Sequence, residues 1–208
     1  MSLTVLKNAF DERQPILKEE LQSVLKINNP NTLNQTIAYL VSFGMINRYE
    51  NGIYYIPSSN DKFAHLRPSL SDVVHKKYLD ADQGIRTGTY LLYKYKLTSQ
   101  VSSYYEVLSN KVSSSTRSKK LYGGKVIVSH PPFSVHKNNS LILELLELVK
   151  HIHFSDFSLE QSIERLRAIY QETGLKNKEV ITYSHYYKGK RYARFRDIVR
   201  EIVSDETT

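Results

Sequence analysis

A short stretch near the N-terminus carries amide and hydroxyl side chains at spacings that suit hydrogen bonding to another molecule. The candidates are Asn31, Thr32, Asn34, Gln35 and Tyr39. An amide side chain donates and accepts at once, which is the pairing that the major-groove edge of adenine offers. A hydroxyl group can donate to a phosphate oxygen. The alternative interpretation is a solvated helix face that binds nothing.

The sequence around these side chains predicts a helix with both ends marked. Asn31 or Thr32 can cap its start, and Gly44 suits the left-handed residue that follows a helix. Leu33 and Leu40 fall on one face when residues are placed at about 100° intervals. We therefore expect the amide side chains to point away from a core that the leucines help to form.

A β-hairpin is predicted immediately after this helix. Two short apolar runs are joined by Asn51-Gly52, and Asn-Gly is the strongest short hairpin signal. Arg48 and Asn51 can reach a DNA backbone or minor groove, although a turn that needs a positive φ angle also explains Asn51. Tyr54 and Tyr55 alternate along the second run, so we expect one ring to be buried and the other exposed.

The elements before the hairpin complete a recognisable order. Apolar spacing predicts two further helices, at residues 2–10 and 17–27. Helix, helix, turn, helix and hairpin within 57 residues is the order of a winged helix-turn-helix DNA-binding domain. The Pro- and Ser-rich stretch that follows predicts a domain at residues 1–58 and a second domain at residues 59–208.

The second domain shows both strand and helix patterns. β-Rich runs at residues 104–108 and 125–129 flank a serine-rich basic stretch, residues 113–120, that we expect to be a loop. Residues 84–88 contain two glycines and predict a break. Several amphipathic helices follow residue 140. The predicted fold class is therefore α+β: an N-terminal winged helix-turn-helix, then a mixed α/β domain with a small sheet and several helices.

The charge of the chain is concentrated beyond the predicted hairpin. The net charge is +8, yet residues 1–57 carry five Lys or Arg and five Asp or Glu. Residues 86–125 hold eight basic residues against Glu106 alone. If the chain binds a polyanion such as DNA, most of the affinity is therefore expected to come from the second domain, because contacts between basic side chains and phosphates dominate such binding.

Two groups of basic residues are the candidates for these contacts. The predicted phosphate-binding group is Arg117, Lys119, Lys120 and Lys125. The group predicted to contact DNA or a protein partner is Lys188, Lys190, Arg191 and Arg194. For both groups the alternative is a solvated surface without a ligand.

Signals for an enzyme are weak. The chain has no cysteine and no His-Glu-x-x-His run, and His151 and His153 lack the spacing that puts two ligands on one helix face. Asp80 and Asp82 are as well explained by a turn. We therefore predict no catalytic residue, no cofactor and no metal, with a nuclease that uses Asp80 or His153 as the rival. We also predict no membrane segment and a cytoplasmic location.

A longer pattern gives a family resemblance. Residues 88–101, GTYLLYKYKLTSQV, are followed by Ser109-Asn110, Arg117 and the run Lys125-Val-Ile-Val128. Together with Gly52-Ile-Tyr-Tyr55 and Tyr78-Leu79, this order resembles the AbiE-type antitoxin family of type IV toxin–antitoxin systems. Ser99 and Ser109 stand where threonine is expected. The resemblance covers most of the chain and weakens after about residue 155.

The resemblance implies a function as well as a fold. It implies a winged helix that binds inverted repeats in the promoter of its own operon. It also implies a C-terminal domain that counteracts a nucleotidyltransferase-like toxin, without a stable complex between the two proteins. The alternatives are a protein-interaction module that docks an acidic partner and a stand-alone regulator that has no toxin.

Overall fold

Two compact units make up the protein. The structure, a computed structural model, describes residues 3–63, 65–113, 117–121 and 124–204, with side chains for all of these except residues 3, 61 and 117–121. The first unit contains the chain up to Lys77, and the second contains Tyr78–Lys120 and the chain from Gly124 onward. Each unit combines helices with a small sheet, which confirms the α+β class.

The first unit packs helices against a three-stranded antiparallel sheet. Its elements are α1 (Leu3–Ala9), β1 (Ile16–Leu17), α2 (Lys18–Leu25), α3 (Pro30–Ser42), β2 (Asn47–Glu50), β3 (Ile53–Tyr55) and α4 (Leu70–Val74). The strand order is β1-β3-β2, so the short β1 pairs with the far side of the hairpin. The sequence prediction missed β1, because a two-residue strand has no periodicity to detect.

The cap of α3 lies before the residues that were predicted to provide it. The Asn29 side chain accepts hydrogen bonds from the backbone N–H groups of Asn31 (2.9 Å) and Thr32 (3.2 Å). Pro30 takes the first helical position, where its missing N–H group costs nothing. The prediction of Asn31 or Thr32 as the cap was therefore wrong. Gly44 does adopt the predicted left-handed conformation, with φ of 66°.

Both faces of the central strand β3 are covered, which explains the burial of its two tyrosines. Tyr54 packs with the helices in a cluster that includes Leu33 and Leu40. Tyr55 packs on the other face, with Tyr49 and Val73. The expectation that one tyrosine would be exposed was wrong, because α4 buries the face that an isolated hairpin would leave to solvent.

Residues beyond the hairpin belong to the same packing unit. Lys77 pairs with Glu50 of β2 at 2.5 Å, and Lys76 pairs with Glu20 of α2 at 2.6 Å. The first unit therefore continues to Lys77, later than the predicted boundary after residue 58.

The second unit places helices around a four-stranded sheet. Its elements are β4 (Gly84–Arg86), α5 (Thr89–Lys94), β5 (Tyr105–Ser109), β6 (Arg117–Leu121), β7 (Gly124–Ser129), α6 (Ser140–His151), α7 (Leu159–Thr173), α8 (Asn177–Ser184) and α9 (Ala193–Val203). The strand order is β4-β5-β7-β6, with β4 antiparallel and β7 parallel to β5. Short helical turns lie at Asp80–Asp82, Ile152–Phe154 and Lys190–Tyr192, and the turn His75–Leu79 begins in the first unit and ends in the second.

Two segments of this unit differ from the sequence prediction. The predicted break at residues 84–88 begins with a strand, β4, in which a Cβ on Gly84 would lie 2.3 Å from the Leu108 carbonyl oxygen. The close approach of the neighbouring backbone explains the glycine at this position, and no break between elements is needed to explain it. The basic stretch predicted as a loop contains β6, so Arg117, Lys119 and Lys120 lie on an edge strand.

The helix α6 forms the centre of the second core. Leu143 and Leu146 are fully buried, and α5, α7, α8 and α9 all pack against this helix. The amphipathic helices predicted after residue 140 are confirmed. Ser158 caps α7, and its hydroxyl accepts from the Gln161 N–H group at 3.2 Å. The sequence prediction did not separate α8 from its neighbours.

Candidate nucleic-acid interface

The outward face of α3 carries all five of the predicted hydrogen-bonding residues. Asn31, Thr32, Asn34, Gln35 and Tyr39 are exposed. At about 100° per residue these side chains span an arc of about 160°, opposite the buried Leu33, Ile37 and Leu40. The face is entirely uncharged, since residues 27–47 contain no Asp, Glu, Lys or Arg.

The backbone of the first helical turn has little left to offer a ligand. Asn29 occupies the N–H groups of Asn31 and Thr32, and the Leu33 N–H group donates to the Asn29 carbonyl at 3.0 Å. Pro30 has no N–H group. A phosphate therefore finds few free donors at this helix N-terminus, where one often binds in other proteins. Recognition by α3 must come from its side chains.

An aromatic pair extends the same face beyond the amides. The rings of Tyr39 and Phe43 lie 4.4 Å apart, and these residues are 50% and 63% exposed. The sequence prediction considered Tyr39 for phosphate binding or half-buried packing and overlooked Phe43. The signal was the spacing of four residues, which places two aromatic side chains next to each other on a helix.

The hairpin next to α3 is short and exposes two of the residues that were predicted to contact DNA. Among the residues of its turn only Gly52 has a positive φ angle, of 80°, so the predicted left-handed Asn51 was wrong. Asn51 remains exposed at the tip and free for contact. Arg48 is exposed on β2, with its guanidinium 5.8 Å from the Tyr54 ring centre, and has no carboxylate partner among the described residues.

The first unit offers little electrostatic attraction to a polyanion. Residues 1–77 hold nine Lys or Arg and seven Asp or Glu, a net charge of +2, and the remaining +6 belongs to residues 78–208. Three of the nine cations, Lys7, Lys76 and Lys77, are paired with glutamates. The low net charge of this unit agrees with the division of charge predicted from the sequence.

Strands β6 and β7 carry the first basic group of the second unit. The backbone of Arg117, Lys119 and Lys120 forms β6, while their side chains lie outside the described part of the structure. Lys125 is exposed on β7, and its ammonium lies 5.3 Å from the ring centre of Tyr104.

The second basic group lies between the end of α8 and the first turn of α9. Lys188, Lys190, Arg191 and Arg194 are all exposed. The Arg191 guanidinium stacks 4.8 Å from the Tyr192 ring centre. Neither Arg191 nor Arg194 has an acidic partner among the described residues, so both charges face solvent uncompensated.

The histidine and aspartate residues considered for catalysis make other contacts and do not come together in one site. His151 Nε2 lies 3.4 Å from the Glu147 carboxylate, and the His153 ring centre lies 4.0 Å from that of Phe154, with the two rings tilted by 42°. Asp80 and Asp82 lie in a short helical turn, which agrees with the turn interpretation. Within the described ranges no three His, Cys, Asp or Glu side chains converge as metal ligands, and no helix is long and apolar enough to cross a bilayer.

Comparison with known proteins leaves the chain without a family. No protein-family model matches it, and no curated protein matches it. The AbiE-type resemblance therefore stays a prediction that depends on the motifs quoted above.

Proposed function

We propose that this protein is a DNA-binding transcriptional autorepressor that also acts as the antitoxin of a type IV toxin–antitoxin pair in the cytoplasm. The first unit would be a winged helix-turn-helix that inserts α3 into a major groove. Basic residues of the second unit would neutralise phosphates flanking the site. Repression follows because a bound protein blocks access to its own promoter.

The observation that carries the DNA-binding proposal is the uncharged, amide-rich outer face of α3 directly before a β-hairpin. The element order α1-β1-α2-α3-β2-β3 with sheet order β1-β3-β2 agrees with the winged-helix arrangement. Gln35, Asn34 and Asn31 supply the paired donor and acceptor groups that adenine requires. Arg48 and Asn51 on the hairpin would contact the DNA backbone or minor groove beside the helix.

The antitoxin role is supported by the family resemblance alone. Its partner would be a nucleotidyltransferase-like toxin encoded by a neighbouring gene. A type IV antitoxin can act on the toxin's target, so a stable complex is not required. The proposal is tested by co-expression: the protein should restore growth to cells that express the neighbouring toxin gene, and unchanged growth arrest would contradict it.

Binding to DNA is tested with the full-length chain and the DNA upstream of its gene. Fluorescence anisotropy should show specific binding, with at least about a thousandfold preference over a scrambled duplex of equal length at physiological salt. Equal affinity for both duplexes would contradict a sequence-reading role for α3.

One observation favours a second candidate, a protein-interaction module. Tyr39 and Phe43 form an exposed aromatic pair on the face assigned to DNA, and exposed aromatic residues are enriched at protein interfaces. The variant Phe43→Ser separates the candidates. It should leave the preference for upstream DNA intact if the amides read bases, and a protein partner captured by the wild type but not by this variant would favour the second candidate.

A further inference from the structure

A cavity of about 510 Å³ lies in the second unit, lined by parts of α6, α7 and α9 and by the Ile152–Phe154 turn. Its apolar lining is formed by Val149, Ile152, Phe157, Leu159, Tyr192, Phe195 and Ile198. The volume lies within the range of about 300–1,000 Å³ that is usual for small-molecule sites. Three of these side chains are aromatic, and the rings of Tyr192 and Phe195 meet edge to face with their centres 5.8 Å apart.

The polar residues of the cavity are strongly biased towards positive charge. Lys150, Arg191 and Arg194 line it together with His153, and no Asp or Glu does. Neither arginine has an acidic partner within the described residues. Uncompensated like charges beside one apolar cavity repel one another, and a bound anion would remove that repulsion.

The third cation is held in position by a buried carboxylate. Lys150 donates to both oxygens of Glu147, each at 2.9 Å, and the Glu147 side chain is completely buried. Thr87 and Tyr187 donate to the same carboxylate at 2.7 and 2.8 Å. Apart from Lys150 itself, two hydroxyl donors therefore hold the carboxylate that orients Lys150.

We infer that this cavity binds a nucleoside phosphate, with the base on the aromatic lining and the phosphates on Lys150, Arg191 and Arg194. Lys150 is already paired with Glu147, so a single carboxylate ligand would pair with one of the two arginines and leave the other without an anion, whereas a phosphate chain carries several charges. The aromatic lining favours a planar base over a bare phosphate. The site shares Arg191 and Arg194 with the basic group predicted to contact DNA or a protein partner, but it involves neither α3 nor the hairpin, so ATP binding is measured independently of sequence-specific DNA binding.

The inference is tested by calorimetry on the full-length chain at about 0.15 M salt, with ATP as the probe. Adenosine and inorganic triphosphate serve as separate arms. ATP should bind with a dissociation constant below about 1 mM, and each half-ligand should bind at least about tenfold more weakly. No ATP binding, or either half-ligand binding as tightly as ATP, would overturn the inference.

Variants distinguish the cavity from general attraction to a basic protein. Arg191→Gln and Arg194→Gln should each weaken ATP binding about tenfold, because each removes a charged hydrogen-bond donor. The matched control is Arg200→Gln, since Arg200 lies on the same helix as Arg194, pairs with Asp197 at 3.1 Å and does not line the cavity. Wild-type affinity in both cavity variants, or an equal loss in the control, would overturn the assignment.

A further variant tests the cavity without removing a cation. Leu159→Glu places a negative charge in the cavity at the first residue of α7, where an acidic side chain favours the helix. We expect it to abolish ATP binding while the thermal transition stays cooperative. A folded Leu159→Glu protein that binds ATP as the wild type does would contradict the site.

Discussion

The outer face of α3 and the basic surface around Arg191 differ in the chemical groups that they would offer to a partner. The stretch containing α3 has no charged residue over residues 27–47, and its exposed groups are amides, hydroxyls and two aromatic rings. The surface between α8 and α9 presents Arg191 and Arg194 without acidic partners among the described residues. The first can discriminate between ligands through hydrogen-bond geometry, and the second can attract any anion. Selectivity and affinity are thus assigned to different units.

The two regions also differ in what holds them in place. The face of α3 is positioned by apolar packing of Leu33 and Leu40 and by the Asn29 cap. The basic surface borders a buried charge network centred on Glu147. Burial by itself raises the pKa of Glu147, but the hydrogen bond from His151 and the positive charges of Lys150 and His151 outweigh it and lower this pKa to about 2.

The largest expected effect is on the stability of the charged region. Glu147→Gln places an uncharged amide where the buried carboxylate accepted hydrogen bonds from Lys150, Thr87 and Tyr187, so the free energy of unfolding should fall by about 3 kcal/mol. Urea unfolding followed by circular dichroism measures it. Glu172→Gln, at an exposed position on α7, is the control and should stay within about 0.5 kcal/mol of the wild type.

The same variant should change how stability depends on pH. Because the pKa of Glu147 is lowered from 4.5 to about 2 on folding, its contribution is present above pH 4.5 and is lost as the pH falls towards 2. The Glu147→Gln protein should therefore lose stability less steeply over this interval. An unchanged slope would show that the carboxylate is not held in its charged form.

The next effect concerns discrimination by the uncharged face. Gln35→Ala should reduce the ratio of affinities for upstream and random DNA by about tenfold or more, because a bidentate amide contact contributes about 1–3 kcal/mol of base selectivity. Affinity for random DNA should hardly change. Anisotropy titrations with both duplexes measure the ratio, and Gln171→Ala, exposed on α7, is the matched control. An equal loss of affinity for both duplexes would contradict the proposed role of α3 in sequence recognition.

The smallest effect tests one cation on the second unit. Lys125→Gln should weaken binding to both duplexes and lower the slope of log affinity against log salt by about one, since one phosphate contact is lost. Lys137→Gln, at an exposed position before α6, serves as the control. If Lys125→Gln instead changed the ratio of the affinities for upstream and random DNA, Lys125 would contribute to sequence recognition and the assignment of a phosphate contact would be wrong.

The sequence predicted the elements whose pattern is local. Leu33, Ile37 and Leu40 repeat at helical spacing, so α3 and its exposed face follow from periodicity alone. The Asn51-Gly52 pair located the hairpin for the same reason. The concentration of charge beyond the hairpin was also visible, because net charge does not depend on folding.

Features that depend on distant residues were not predictable in this way. The burial of Tyr55 needs Val73, and the glycine at position 84 needs the backbone of Leu108. The role of Glu147 as a buried hydrogen-bonded group depends on Thr87 and Tyr187, which lie 60 and 40 residues away along the chain. The cavity was likewise invisible, since its lining comes from several segments.

The separation of selectivity from affinity is tested most directly by a salt titration of a fragment ending at Lys77 beside the full-length chain. The fragment ends there because Val73 and Lys77 contact the hairpin strands. At about 0.15 M salt the fragment should bind upstream DNA at least about tenfold more weakly, with a shallower salt slope but a preserved preference over random DNA. Full-length affinity and slope in the fragment would contradict the account.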